Sequence, residues 1–455
     1  RKKIAITMQA DVTGLNELVV IGYGTTSRKN LTTAVSSVDP SKVPSAANNS
    51  VSQLLFGRAA GLQASEQSAE PGGNINLSIR GRGAPLIVVD GVVMPYSGLE
   101  PGDGSIAGEL NGVHRGGFAG INPDDIASIE ILKDASASIY GVNAANGVIL
   151  ITTKKGKEGK LSVNYSGSRS WIVNMPYLKP LGASDYMTYY NQLTKDQYLI
   201  NNKMAPFGPN AASGFTPKFS DSQIQSAGAG TDWLDQVLRN GSIDNHNLSV
   251  SGGNEKATYY FSGSYFNQAG TIKNSGLTKY TGRMNISFNI DKYVTLNVSA
   301  SGAKNNFLNS SAGWQTGGSG TQGFGALQAA LAYPATVPVR DDKGNYTLFQ
   351  IIADPVSLLD IQDKTYYSSL MANASIDVHI IPGVLTGKLL YGNNSESSTR
   401  DFFIPSTTFY FQQFETRGSY NEAKRQNQTM EATLSFKKKF GIVDIDAVGG
   451  VGQYI

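Results

Sequence analysis

The chain has 455 residues, 51 of them Gly, with charged residues at 16% and a formal net charge of +3. That charged fraction is below the roughly 25% usual for soluble domains. The only basic clusters are short, such as Lys437-Lys438-Lys439, which speaks against a nucleic-acid-binding face. The absence of Cys excludes disulfides and thiolate metal sites, and no apolar run approaches the roughly 18 residues of a transmembrane helix.

Residues 1–10, RKKIAITMQA, read as a strand entered midway, and the last residues stop inside an apparent strand. Both ends are therefore expected to belong to longer elements. LNELVVIGYGTTSRKN (Leu15–Asn30) sets a β-branched run, Leu18-Val19-Val20-Ile21, against Gly22-Tyr23-Gly24. From composition it is either a core strand or a strand held out for a partner's sheet edge. It does not make a phosphate loop, because the third glycine of a dinucleotide fingerprint and the Lys of a P-loop are missing.

Up to about residue 160 the pattern is α+β. PLIVVDGVVM (Pro85–Met94) is a short apolar strand with a turn at Asp90-Gly91. INPDDIASIEILKDASASIYG (Ile121–Gly141) gives a helical turn capped by Asp124 and Asp125, a strand at Ser128–Leu132 and a small-residue helix from Asp134. NGVILITTKKGK (Asn146–Lys157) closes the unit with a strand ending in basic residues.

Beyond residue 160 the texture becomes strand, turn, strand, loop. In YTGRMNISFNI, Tyr280, Gly282, Met284, Ile286, Phe288 and Ile290 share one face, while Arg283, Asn285, Ser287 and Asn289 share the other. VTLNVSASG and LMANASIDVHI alternate in the same way. Period-two alternation places one face in an apolar medium and the other in a polar one.

About nine strands are expected, at 160–173, 243–253, 256–270, 278–291, 293–308, 364–381, 383–403, 422–440 and 442–455. Several exceed ten residues, whereas globular strands usually have about 5–6 and a tilted membrane-spanning strand needs about 9–11. Connections after the second, fourth, sixth and eighth strands are tight. The others are longer, and two of them (174–242 and 309–363) are very long. Outer-membrane barrels have this parity, with short periplasmic turns and long external loops.

An apolar face in lipid cannot leave a sheet edge open, because each unpaired backbone group costs several kcal/mol. Bacterial barrels close with even strand numbers. The expected fold is therefore a transmembrane antiparallel β-barrel, present here as about nine strands of a larger barrel. The N-terminal α+β plug domain would fill its lumen.

With LNELVVIGYGTTSRKN, LSIRGRGAPLIVVDGVVM, INPDDIASIEILKDASASIYGVNAANGVILITTKKG, GTDWLDQVLRNGSIDNHNLSVSGG and ATYYFSGSYFNQAGTIKNSGLTKYTGRMNISF in this order, the sequence resembles the SusC/RagA-type TonB-dependent outer-membrane transporters over essentially its whole length. The resemblance implies a barrel of about 22 strands in the outer membrane of a Gram-negative bacterium. It implies import of oligosaccharides or peptides driven by TonB and its inner-membrane motor proteins, a SusD-like surface lipoprotein as lid, and no cofactor. It leaves open a dimer of transporter–lipoprotein pairs.

The implied division is 1–12 as the end of a preceding small β-domain, 13–24 as the TonB-box segment, 25–157 as the plug and 158–455 as the first part of the barrel. The TonB box would be Asn16, Glu17, Leu18, Val19, Val20, Ile21, Gly22 and Tyr23. Asn16 and Leu18 stand where the family more often has an acidic residue and valine, and neither blocks backbone pairing with a partner's sheet edge.

Arg80 and Arg82 in SIRGRGAP either contact substrate or pair with Glu130 and Asp134 to pin the plug to the wall. PGDGS (Pro101–Ser105) is too short for a calcium loop. His114, His246 and His379 lack zinc-ligand spacing, and no nucleophile–His–acid set can be assembled, so an enzyme is not expected. The Tyr259-Tyr260 and Tyr366-Tyr367 pairs suit either an interfacial aromatic belt or core packing. The Tyr-rich stretch Pro176–Met204 and Trp314 suit sugar or peptide contacts. The alternative reading is a surface adhesin with a soluble β-rich fold, in which a second layer would cover the apolar stripes.

Overall fold

The computed structural model describes residues 18–21, 24–27, 35–43, 50–66, 68–101, 118, 120–134, 137, 140–174, 179–208, 212–310, 314–316, 322–410, 413–441 and 443–455. A ribbon of β1 (Leu18–Ile21) and β2 (Gly24–Ser27) precedes a small domain. That domain contains β3 (Val35–Val38), α1 (Val51–Leu54), β4 (Leu62–Glu66), β5 (Ile75–Ile79), β6 (Leu86–Val89), β7 (Val92–Met94), β8 (Ile126–Leu132) and β9 (Val148–Thr153). Five strands form one sheet in the order β3-β8-β9-β6-β7, and β4 pairs with β5 in a separate hairpin. Among the described strands of this domain only β6 and β9 pair in parallel.

The five-stranded sheet is buried on both faces. Ile87, Val89, Ile129, Ile131, Ile149 and Ile151 face one apolar cluster, whereas Val88, Leu132, Val148 and Leu150 face another. A strand covered on both sides reads as a continuous apolar run, which is why VILIT shows no alternation.

The turn expected at Asp90-Gly91 is present. Both residues are left-handed (φ 49° and 88°), and Val89 pairs directly with Val92, the two-residue hairpin loop that favours an Asp-Gly pair. One expectation is corrected. Asn122 caps the short helical turn Pro123–Asp125, its side chain accepting from the Asp124 N–H at 3.1 Å, because the capping position precedes the first residue of the turn and Asp124 and Asp125 lie within it. Of the small-residue helix expected from Asp134, the described residues Ala137 and Tyr140 are in 3₁₀ conformation, as is the turn Val142–Ala144. Residues 135–136 and 138–139 lie outside the described residues.

The rest of the chain builds a wall. In order it comprises β10 (Gly159–Ile172), α2 (Ala183–Asn201), α3 (Asp221–Ala227), α4 (Trp233–Val237), β11 (Gly241–Gly253), β12 (Ala257–Ala269), β13 (Gly276–Asn289) and β14 (Val294–Leu308). There follow β15 (Trp314–Thr316), β16 (Gln322–Phe324), α5 (Ala326–Ala332), β17 (Leu348–Phe349) and β18 (Ile352–Ala353). Last come β19 (Gln362–Ile381), β20 (Leu385–Ile404), β21 (Phe409–Tyr410), β22 (Gln413–Phe414), β23 (Arg417–Phe440) and β24 (Val443–Tyr454).

One nine-stranded sheet runs β10-β11-β12-β13-β14-β19-β20-β23-β24. Every neighbouring pair is antiparallel. The connections at 254–256, 290–293, 382–384 and 441–442 are tight and lie on one rim. The connections at 173–240, 270–275, 309–361 and 405–416 lie on the other. The parity read from the sequence therefore holds.

The two faces of the wall are reversed relative to a soluble protein. Facing the small domain, polar side chains such as Ser249, Lys279, Arg283, Asn285, Ser299, Asn394 and Glu396 are buried. On the opposite face, Val163, Leu248, Phe261, Phe288, Ile376, Leu389 and Val451 are exposed. Among the described residues no second sheet packs on that apolar face, so the layer required by a soluble sandwich is missing. The tyrosine pairs divide by face, as adjacent strand residues must. Tyr260 and Tyr367 are buried inside, whereas Tyr366 is exposed outside.

Candidate functional site

Three polar anchorages hold the small domain against the wall. The first is at the β6–β7 turn. Asp90 accepts from the Thr153 N–H (3.0 Å) and from the Thr153 hydroxyl (2.6 Å). Arg283 of β13 donates to the same carboxylate at 2.5 Å and to the Ser299 hydroxyl at 3.1 Å. The Arg283 and Asp90 side chains are 3% and 8% exposed. Sequestered charges of this kind are tolerated only when paired and hydrogen-bonded.

The second anchorage is the turn at Ile121–Asp125. Lys279 donates to the Ile121 carbonyl (2.8 Å), Tyr260 donates to the Asp125 carboxylate (2.9 Å) and Asn122 donates to Asn247 (3.3 Å). The third lies across β19, β20 and β23. Arg425 donates to the Ser97 carbonyl at 2.9 Å and to Glu396 at 2.7 Å, and Tyr367 also donates to Glu396 at 2.6 Å. The seat thus combines hydrogen bonds with apolar contacts, since Met371 of β19 joins the small domain's core cluster and Leu99 packs against the wall cluster that includes Phe266, Leu277 and Phe307.

The residues singled out in the sequence are placed as follows. Leu18–Ile21 form β1, paired in register with Gly24–Ser27. That sheet has two strands only, so the other edge of β1 joins no third strand among the described residues. Asn16, Glu17, Gly22 and Tyr23 lie outside the described residues. Arg80 pairs with Asp134 inside the small domain, both of them partly exposed. Arg82 is exposed and Glu130 is buried in β8. Asp90–Arg283 is an ion pair between domain and wall. Lys133, next to Asp134, donates to the Ser36 hydroxyl and the Ala60 carbonyl, tying β8 to β3. Burial first, and the charge of Arg80 second, hold its ammonium below the usual lysine range.

His246 stacks between Tyr165 and Tyr265 on the outer face, and His379 meets Thr295 and Thr386. His114 lies outside the described residues. The aromatics of α2 pack mainly among themselves and with the segment after it. Tyr190 contacts Tyr186 and Phe219, and Tyr198 contacts Phe215. Tyr189, Leu193 and Ile200 remain exposed on that helix.

That the two long connections fold together was not read from the sequence. Trp233 and Leu234 of α4 share an apolar cluster with Ala329 and Tyr333 of the other connection, and with Phe402 and Ile404 of β20. Trp233 meets the Tyr333 ring at 4.7 Å and donates its indole N–H to the Pro334 carbonyl at 3.1 Å. Burial pushes the Tyr333 hydroxyl up to about 12. The signal available was apolar residues within otherwise polar loops, at Trp233-Leu234 and Ala329-Ala330.

Residues 27–148 match the family model described as the TonB-dependent Receptor Plug Domain. The chain is 31% identical over 461 residues to TonB-dependent receptor P3 of Formosa agariphila, covering 98% of this chain and 41% of that protein. It is 27% identical to TonB-dependent receptor SusC of Bacteroides thetaiotaomicron, covering 99% of this chain and 44% of that protein. It superimposes on the RagAB peptide importer in its closed-closed state with a TM-score of 0.68 at 20% identity, over 93% of this chain and 48% of that one. The chain thus spans less than half the length of these relatives, and the last likeness shows the fold alone.

Proposed function

The chain belongs to the SusC/RagA-type TonB-dependent outer-membrane transporters of Gram-negative bacteria, as a plug domain and part of the β-barrel, and from that membership we propose that it takes part in TonB-dependent import of large nutrients. The observation that carries this reading is the inverted wall. Its apolar face is bare toward lipid and its polar face is hydrogen-bonded to a plug that blocks the lumen. A wide barrel without such a filling would leak.

In this reading Asn16–Tyr23 is the TonB box, within the division 1–12, 13–24, 25–157 and 158–455 given above. The two-stranded ribbon supports it, since the other edge of β1 joins no third strand among the described residues and a partner strand can add there. The cargo is an oligosaccharide or a peptide, the latter in keeping with the peptide importer whose fold is shared. A SusD-like lipoprotein acts as lid, and the exposed Tyr189, Leu193 and Ile200 of α2 offer it apolar surface on the long-loop rim.

Deleting residues 16–23 from the full-length transporter tests the assignment. Uptake should be lost while expression and substrate binding stay normal. Uptake that persists would overturn the TonB-box assignment, and lost binding would show a structural role instead. Titrating candidate glycans and peptides onto the intact transporter with its lid identifies the cargo.

A further inference from the structure

We infer that the outer face of the wall over β19, β20, β23 and β24 holds an ordered phospholipid of the periplasmic leaflet, with an acyl chain in a groove and the headgroup phosphate against Lys438. This rests on the outer-membrane placement and is independent of the cargo.

The groove has two adjoining parts. One, of about 630 Å³, is lined by Ala374, Ile376, Leu389, Tyr391, Ala432 and Val451 among others. It continues into a second part of about 420 Å³, where Val378, Gly387, Leu434 and Gly449 join the lining. The hollow exists because its floor carries small residues. A Cβ built on Gly449 would meet nothing within 4 Å. One built on Gly387 would meet only Ile380 Cδ1 at 3.8 Å and Leu434 Cδ1 at 4.0 Å. Neither glycine has the left-handed backbone that would require it. Glycine weakens a strand interior and often marks a place where something outside approaches closely.

The charge is at the right end. Met430, Ala432, Leu434, Phe436 and Lys438 alternate on the outer side of β23, and Lys438 pairs in register with the exposed Ile445. Lys438 lies beside the tight turn at 441–442, on the rim that faces the periplasm in such barrels. Its ammonium is 5.0 Å from the Phe440 ring centroid. Lys437, on the other face, is already paired with Asp446 at 3.4 Å. From Lys438 to the groove floor at Ala432 is roughly 20 Å along the strand. At a tilt of about 45° that is a depth of about 14 Å, close to one leaflet of a hydrocarbon core about 30 Å thick. A lipid with its phosphate at Lys438 therefore brings its acyl chain along the whole groove. Bulk lipid wets the whole face, and here the small-residue floor lets one chain lie deeper against the wall and gain contacts.

The test is native mass spectrometry of the full-length transporter titrated with phosphatidylglycerol in detergent. Wild type should retain one tightly held lipid. Gly449→Leu, whose Cβ meets no atom within 4 Å and whose side chain occupies the groove, should lose it. Lys438→Gln, at an exposed position, should hold it about fivefold more weakly. Phe261→Leu, on the outer face away from the groove, should behave as wild type. Heat-modifiable migration on gels verifies that each variant is folded. Equal retention by wild type and Lys438→Gln would overturn the phosphate contact. Equal retention by wild type and Gly449→Leu would overturn the groove. A lipid-free pair of protein copies that Gly449→Leu separates would assign the groove to a second copy and also overturn the proposal.

Discussion

Arg283 illustrates how much a single wall residue can carry. Its guanidinium meets Asp90, Thr153 and Ser299, so one side chain links the β6–β7 turn, the end of β9 and the neighbouring wall strand. Replacing Asp90 by Asn would leave that guanidinium buried without a countercharge. Breaking one member of a buried pair costs about 3–5 kcal/mol. The expected outcome is a folded barrel with a loosened plug, seen as entry of a large polar antibiotic that the wild-type membrane excludes. A double-mutant cycle of Asp90→Asn with Arg283→Gln should show strong coupling, and additive effects would refute a direct pair. The sequence identifies Asp90 correctly as a turn residue. Its second role is not legible, because Arg283 is 193 positions away and nothing local marks a partner so distant. The same limit applies to Arg80: an arginine beside glycines suggests pairing, but whether its partner lies in the plug or in the wall depends on the packing of the two domains. Asp134, on the plug, is the partner found.

At the scale of elements, the wall strands were legible almost to their ends because alternation persists over whole segments. The expected 293–308 is observed at Val294–Leu308, and 243–253 at Gly241–Gly253. The connections were legible only in length. Their shared cluster forms between segments about a hundred residues apart, such as Trp233 and Pro334, with no period to announce it. This predicts that Trp233→Ala, a large-to-small change at a side chain 3% exposed, costs the rim cluster about 3–5 kcal/mol. Limited proteolysis should then cut within 173–240 and 309–361 sooner, while the wall keeps its heat-modifiable migration. Loss of that migration would mean that the rim cluster and the wall fold as one unit.

At the scale of the molecule, the outer face should obey lipid rules. Ile286 lies on that face between Tyr259 and Val298. Ile286→Lys should destabilise by an amount that grows with depth, from about 1 kcal/mol toward the interface to about 2–4 kcal/mol at the midplane, measured by urea titration of the full-length barrel folded into vesicles. A negligible cost would place Ile286 near the interface or against protein. By itself the sequence determined the strand rhythm, the parity of the rims and the two-faced character of the wall. These follow from local periodicity and from the obligation of backbone groups in lipid to pair with neighbours along the chain. Only the tertiary structure decided which polar side chains seat the plug, how the long connections unite, and where the outer face is hollow. Each of these depends on side chains distant in sequence meeting across a surface, and the geometry of such meetings is set by packing rather than by any pattern within one segment.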